Sequence, residues 1–137
     1  MKKIILVEDN IADAELVKIA VSELELPVKI HHASGNDELF HFFETDDLSQ
    51  VVLILLDLNM PRINGIEILK KLKATPRLSS IPVVVFTTSS SKTDVLACYD
   101  YGANAYVCKP IDYETFNENI KAIVQFWALN NLVPTRS

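Results

Sequence analysis

Basic charge is in short supply. Thirteen lysines and arginines stand against 18 aspartates and glutamates, for a formal charge of −5 and a pI near 5.1. A duplex nucleic-acid binder needs a clustered basic surface, so no nucleic-acid partner is expected. Long apolar runs are missing too. The longest, Val51–Leu56, has six residues, against the roughly 18 or more of a membrane helix, so no membrane partner is expected either. The apolar stretch after Met1-Lys2-Lys3 is too short for a secretory signal, and it meets Glu8-Asp9 where a small-residue cleavage site would be needed. Cysteine is scarce: Cys98 and Cys108 lack CxxC spacing, which argues against a disulfide framework or a zinc site. What remains is an ordinary globular balance, 49% hydrophobic and 23% charged. The 137 residues fit one domain, by a prior of roughly 100–200 residues each. The expectation is a single cytoplasmic domain without an appended output domain.

Five short apolar, β-branched runs read as strands: residues 3–7, Val28–Ala33, Val51–Leu56, residues 82–87 and Ala105–Cys108. The third and fourth do not alternate, as central parallel strands covered on both faces should not. Between the runs lie helical periods. Ala14, Val17, Val21 and Leu24 form one stripe, and Asn36 is placed to cap a helix through Leu39, Phe40 and Phe43. Asn64-Gly65 precedes a third helix stopped by Pro76. A fourth runs from near Thr93 through Val95, Leu96 and Tyr99 to Gly102, a glycine suited to a helix end. Asp112 caps a fifth carrying Phe116, Ile120, Ile123 and Trp127 on one face. The order βαβαβαβαβα predicts an α/β fold with a doubly wound parallel sheet.

In such a sheet, sites lie at the carboxyl ends of the strands. The first strand ends in Glu8-Asp9, the third in Asp57, the fourth in Thr87-Thr88 and the fifth in Lys109-Pro110. Three carboxylates on one rim are unfavourable: two unit charges ~4 Å apart repel by roughly 4 kcal/mol at an effective dielectric near 20. An oxygen-only set of this kind suits Mg²⁺. Lys109 supplies a fixed positive charge able to pair with Asp57, and Thr87 a hydroxyl donor. An aspartyl carboxylate can accept a phosphoryl group, which makes Asp57 the expected nucleophile. Taken singly, Asp9 or Asn10 reads equally well as a helix cap. The convergence of all five groups is what points to chemistry.

These residues carry a resemblance. Residues 4–10 (ILVEDN with its leading Ile), Leu56-Asp57-Leu58-Asn59-Met60-Pro61 through Asn64-Gly65, residues 82–87, and Gly102-Ala103-Asn104-Ala105-Tyr106 leading to Lys109-Pro110 resemble the receiver domain of two-component response regulators over essentially the whole chain. The resemblance implies a flavodoxin-like, five-stranded sheet in the order 2-1-3-4-5 with five helices, an order that receivers are known for. It implies that Asp57 takes a phosphoryl group from a sensor histidine kinase, with self-phosphorylation from small donors and autodephosphorylation, and no conventional enzyme activity. Asp9, Asp57 and the backbone carbonyl of Asn59 would hold Mg²⁺ or another divalent cation such as Mn²⁺, with Glu8 nearby or acting through water. Thr87 and Lys109 would clamp the phosphoryl oxygens, a cis peptide would precede Pro110, and Tyr106 would switch inward as Thr87 moves. Without the resemblance Tyr106 is a half-buried strand tyrosine.

A narrower likeness lies in Thr87-Thr88-Ser89-Ser90, Asn104-Ala105-Tyr106 and Phe126-Trp127 with Asn130. It is similar to the stand-alone regulators paired with phytochrome kinases, several of which form homodimers through helix 4, strand 5 and helix 5. The resemblance therefore adds a phytochrome-type kinase and a homodimer to the expected partners. Trp127, Leu129 and Leu132 extend past the usual receiver end, either to pack on the core or to support that dimer. The receiver is expected over residues 1–130 and a short tail over 131–137.

Other residues carry less. His31 and His32 are adjacent on a strand and point to opposite faces, and His41 lies on a helix flank. Cys108 reads as an apolar filler, and Lys70, Lys71 and Lys73 as a solvated face. A haloacid-dehalogenase-type phosphatase needs a second acid two residues after its nucleophile, where Asn59 stands. A nucleotide module would need a phosphate loop after the first strand, and no GxxxxGK[ST] occurs. An inactive receiver-like scaffold would lack Asp57 or Lys109.

Overall fold

The computed structural model describes residues 1–60 and 64–134. Five strands, β1 (Lys2–Val7), β2 (Val28–Ala33), β3 (Val51–Leu56), β4 (Val83–Thr87) and β5 (Ala105–Cys108), alternate with α1 (Ile11–Glu23), α2 (Asn36–Thr45), α3 (Gly65–Ala74), α4 (Lys92–Asp100) and α5 (Tyr113–Gln125). All pairings are parallel, in the order β2-β1-β3-β4-β5. This is the doubly wound fold with five helices that the alternation implied.

Burial follows strand position. Every residue of β3 and β4 is buried, whereas the edge strands β2 and β5 are mostly half-buried. The central runs have helices on both faces, so they are apolar until the last residue of β4, Thr87. Two cores result. One packs Leu39, Phe43, Ile68, Leu69 and Leu72 of α2 and α3 on the sheet, and the other packs Ala14, Val17, Phe116, Ile120 and Val124 of α1 and α5.

Local chemistry sets the helix ends. Asn10, Asn64, Ser91 and Asp112 each accept a backbone N–H from the first turn of α1, α3, α4 and α5. The cap of α2 differs from expectation: Gly35 occupies it, and Asn36 is already helical. Glu38 satisfies this end instead, accepting from the Ser34 amide (2.9 Å) and hydroxyl (2.6 Å). Gly102 has φ +98°, where a side chain would be strained.

The stripe predicted for α4 is a correction. Leu96 and Tyr99 are exposed at 64% and 51%, and only Cys98 of that helix is buried. The helix rests on an edge strand, so it covers less sheet and leaves apolar side chains outside. Cys108 is exposed as well, being the last residue of that edge strand. After α5 the chain adds a π-helical turn, Phe126–Asn130. Ala128 is buried and Trp127 packs on the second core, while Phe126, Leu129 and Leu132 remain exposed. No described helix is long and apolar enough to cross a membrane.

Candidate functional site

The polar residues of the site stand at the carboxyl ends of β1, β3, β4 and β5. Glu8, Asp57, Thr87 and Lys109 are buried, an unusual position for three ionisable side chains. Parallel pairing aligns them: the Asp57 amide donates to the Val7 carbonyl (3.0 Å), and the Lys109 amide donates to the Thr87 carbonyl (2.7 Å). Glu8, Asp9 and Asp57 each present an oxygen, all within 4.8 Å of one another. The set is hard and oxygen-only and carries excess negative charge, which fits a small divalent cation.

Close backbone approach shapes the rim behind Asp57. The Gly65 amide donates to the Leu58 carbonyl (3.1 Å). A Cβ at Gly65 would stand 2.5 Å from the Asp57 carbonyl oxygen and 2.6 Å from the Leu58 Cα. Only glycine lets α3 begin that near the acid. Pro61, part of the motif in the sequence, falls in residues 61–63, outside the described residues.

Lys109 is the cation of the cluster, with its side chain 5% exposed. Its Nζ lies 2.6 Å from Glu8 Oε1, 2.8 Å from Asp13 Oδ2 and 3.6 Å from Asp57 Oδ2. The expected Lys109–Asp57 pair is therefore present but longest of the three. Asp13 is a neighbour of the cluster that strand-end reasoning missed, because it sits one turn into α1. Nothing local marked it: the Asn10–Asp13 spacing is that of a capping box, which would keep the Asp13 carboxylate on its own helix end.

Burial pushes the Glu8 carboxyl up to about 7, with Asp57 acting in the same direction and Lys109 against it. Burial alone would lower Lys109, but its bonds to Asp13 and Glu8 outweigh that and raise it, so the ammonium stays charged.

The Thr87 hydroxyl accepts from Asn59 Nδ2 (3.2 Å) and the Ser89 amide (3.4 Å). Asn59 also donates to the Thr88 hydroxyl (3.0 Å), and its amide reaches Asp57 Oδ1 at 3.3 Å. The Tyr106 hydroxyl donates to the Ser89 carbonyl (2.8 Å), and burial raises its pKa. Ser89 in turn donates to Asp94 on α4 (2.6 Å), so the aromatic ring is tied to the loop between Thr87 and α4. His32 Nε2 stands 2.6 Å from the Glu8 carbonyl, bracing the acid turn from β2. His31 points the other way, onto Phe42.

The peptide before Pro110 is a correction. No described peptide bond is cis, so the Lys109–Pro110 bond is trans. Trans is the default even before proline, by roughly 0.5–1 kcal/mol, and with it Lys109 already reaches its three acids. Beside Lys109 a cleft of about 170 Å³ opens to the surface between Asp13, Leu16, Thr88 and Ile111.

Comparison with known proteins agrees with this fold. Residues 4–121 match the response regulator receiver domain. The chain is 36% identical over 130 residues to the response regulator Rcp1 of Synechocystis, covering 92% of this chain and 88% of that one. It is 34% identical over 127 residues to the probable methanogenesis regulatory protein FilR2 of Methanothrix harundinacea, covering 90% and 82%. Among solved structures, the phosphorylated cyanobacterial phytochrome response regulator RcpA superposes with a TM-score of 0.90 at 34% identity, over 98% of this chain and 99% of that one. The Mn²⁺-bound form of Rcp1 superposes with a TM-score of 0.89 at 32% identity, over 98% and 100%.

Proposed function

The chain belongs to the response regulator receiver domain family, and from that premise we propose that Asp57 is its phosphoacceptor, charged by the phosphohistidine of a sensor kinase. The observation that carries this reading is the buried Asp57 carboxylate set between two further acids and one ammonium. An Asp57 oxygen attacks phosphorus in line. The phosphorus–nitrogen bond of the donor breaks, its electron pair leaves with the imidazole, and an acyl phosphate forms on Asp57.

Lys109 has three N–H donors, and the one facing Asp57 takes a phosphoryl oxygen. Thr87 takes another: both of its bonds are accepted, so its own proton is free to donate. Asp9, Asp57, the Asn59 carbonyl and Glu8 would hold Mg²⁺ or Mn²⁺. The bound cation would offset the carboxylate repulsion and draw charge from the phosphoryl oxygens. Acetyl phosphate serves as a small donor by the same displacement with acetate leaving, and water later hydrolyses the acyl phosphate.

Movement of Thr87 toward the phosphoryl group frees the Ser89 carbonyl from Tyr106, and the aromatic ring turns further inward. That changes the face of α4, β5 and α5, where Leu96, Tyr99 and Tyr101 are already exposed. This face, with Phe126 and Leu129 of the extension, forms the homodimer contact. The likeness to RcpA supports a kinase of the phytochrome type as partner, and membership of the receiver family supports a cytoplasmic setting. The phosphatase reading is not favoured, since Asn59 cannot act as its general acid.

Intact-mass spectrometry after treatment with acetyl phosphate and Mg²⁺ tests the assignment. One alkali-labile phosphoryl group is expected on the wild type and none on Asp57→Asn. Equal uptake by the variant would overturn the nucleophile.

A further inference from the structure

The start of α1 breaks a local rule in a way that bears on Lys109. Asn10 caps the helix by accepting from the Asp13 amide (3.0 Å). In a capping box the residue at Asp13 would return the favour, its carboxylate accepting the Asn10 amide. Here Glu8 Oε2 accepts that amide instead (3.2 Å). The Asp13 carboxylate is released from its local duty and reaches Lys109 Nζ, 96 residues away in sequence, at 2.8 Å.

We propose that Asp13 is a positioning residue for phosphoryl transfer, fixing the direction of the Lys109 ammonium by holding one of its three N–H donors. The inference rests on Asp57 being the phosphoacceptor. An ammonium on a four-carbon stem can rotate, and a single acceptor leaves it free to swing. Glu8 at 2.6 Å and Asp13 at 2.8 Å take two donors and fix the third toward Asp57 Oδ2, 3.6 Å away. That gap is too long for a good hydrogen bond. It leaves the nucleophilic oxygen unclaimed and the donor pointed where a phosphoryl oxygen arrives.

Without Asp13, Lys109 would be free to close on Asp57 itself, engaging the nucleophile. The role falls to Asp13 more than to Glu8, because Glu8 also belongs to the candidate cation set and cannot serve both partners with the same oxygen. Asp13 is held by its own helix cap and stands outside that set, so it keeps Lys109 in place while a cation binds.

The test compares Asp13→Ala with Asp13→Asn in the full chain, using acetyl phosphate at saturating Mg²⁺. Both substitutions remove the same charge, and only alanine removes the acceptor. A charge-assisted hydrogen bond is at stake, so Asp13→Ala should be phosphorylated about tenfold more slowly than wild type. Asp13→Asn should stay within about threefold. Thermal unfolding of all three proteins separates positioning from support of the helix, because the Asn10 cap survives in each and the midpoints should agree closely.

A common fall in rate for both variants would make Asp13 a source of field alone and overturn the proposal. So would an alanine rate at or above wild type, or rates that follow the unfolding midpoints. If Asp13→Ala does not fold, a rate for Asp13→Asn as low as that of Lys109→Met overturns it, and a rate near wild type upholds it. Failure of the wild type itself to take up phosphate would instead remove the Asp57 assignment.

Discussion

Two lysines sit at opposite ends of the same sheet, and their partners differ in charge. Lys109, at the carboxyl ends, is surrounded by carboxylates: Glu8, Asp13 and Asp57. Lys73, at the amino ends, donates to neutral oxygens, the carbonyls of Ser79 (3.2 Å) and Ile81 (3.1 Å) and the side-chain oxygen of Asn104 (3.3 Å). Asn104 also accepts the Val83 amide at 2.8 Å, so that ammonium ties α3 to the entry of β4 and β5.

At Lys73 these oxygens serve as structural anchors for the ammonium. Three acids around one ammonium leave negative charge uncompensated, and under the proposed function the arrangement at Lys109 would take a cation and then a phosphoryl group. Lys73 was expected on a solvated face. The correction has a simple cause: α3 ends beside the loop into β4, whose Ser79 and Ile81 carbonyls take the ammonium.

Breaking the contrast at its reactive end should give the largest effect. Lys109→Met is expected to slow phosphorylation by acetyl phosphate about a hundredfold or more, read by quenched time points and mass spectrometry. Lys73→Met should leave that rate within about twofold. If both lysines proved equally important to the rate, the two ends would not differ in the way described.

Gly65→Ala should follow in size. Its Cβ would press on the backbone of Asp57 and Leu58 at 2.5–2.6 Å, so a loss of about 3 kcal/mol of stability is expected from denaturant unfolding, with slower phosphorylation as Asp57 shifts. Lys73→Met comes next, with about 2 kcal/mol lost as carbonyls at the amino end lose a charged donor. A stability equal to wild type would mean water replaces the ammonium there without cost.

The smallest effect concerns protons. Glu8 lies near 7, above its ordinary 4.5. Between those values the folded state keeps a proton that the unfolded chain releases, so the metal-free fold loses stability as pH rises through that window. A cation reverses the preference, because it needs the ionised carboxylate. Calorimetric Mg²⁺ titrations should therefore show binding tightening about tenfold from pH 6 to pH 8. A flat profile would remove Glu8 from the cation set.

Much of this was legible along the chain. Apolar runs of four to six residues followed by Asp, Thr or Lys specify parallel strands and, through strand order, the rim where those residues meet. Asp112, Asn64 and Gly102 mark helix ends by chemistry that needs no tertiary contact. The stripe of α4 misled because Val95, Leu96 and Tyr99 have helical spacing whichever way the helix faces. The same limit applied to Cys108, whose burial depends on lying at the last position of an edge strand.

By itself, then, the chain determined the element order, the parallel sheet and the set of groups at its carboxyl rim, since these follow from periodicity and from where each run stops. The tertiary structure decided which of those groups touch. Lys109 prefers Glu8 and Asp13 to Asp57, Asn59 spans to Thr87 and Thr88, and Lys73 turns from solvent to backbone carbonyls. Long polar side chains have several partners within reach. Burial and the competition among those partners choose one, and neither quantity exists before the helices and strands have packed.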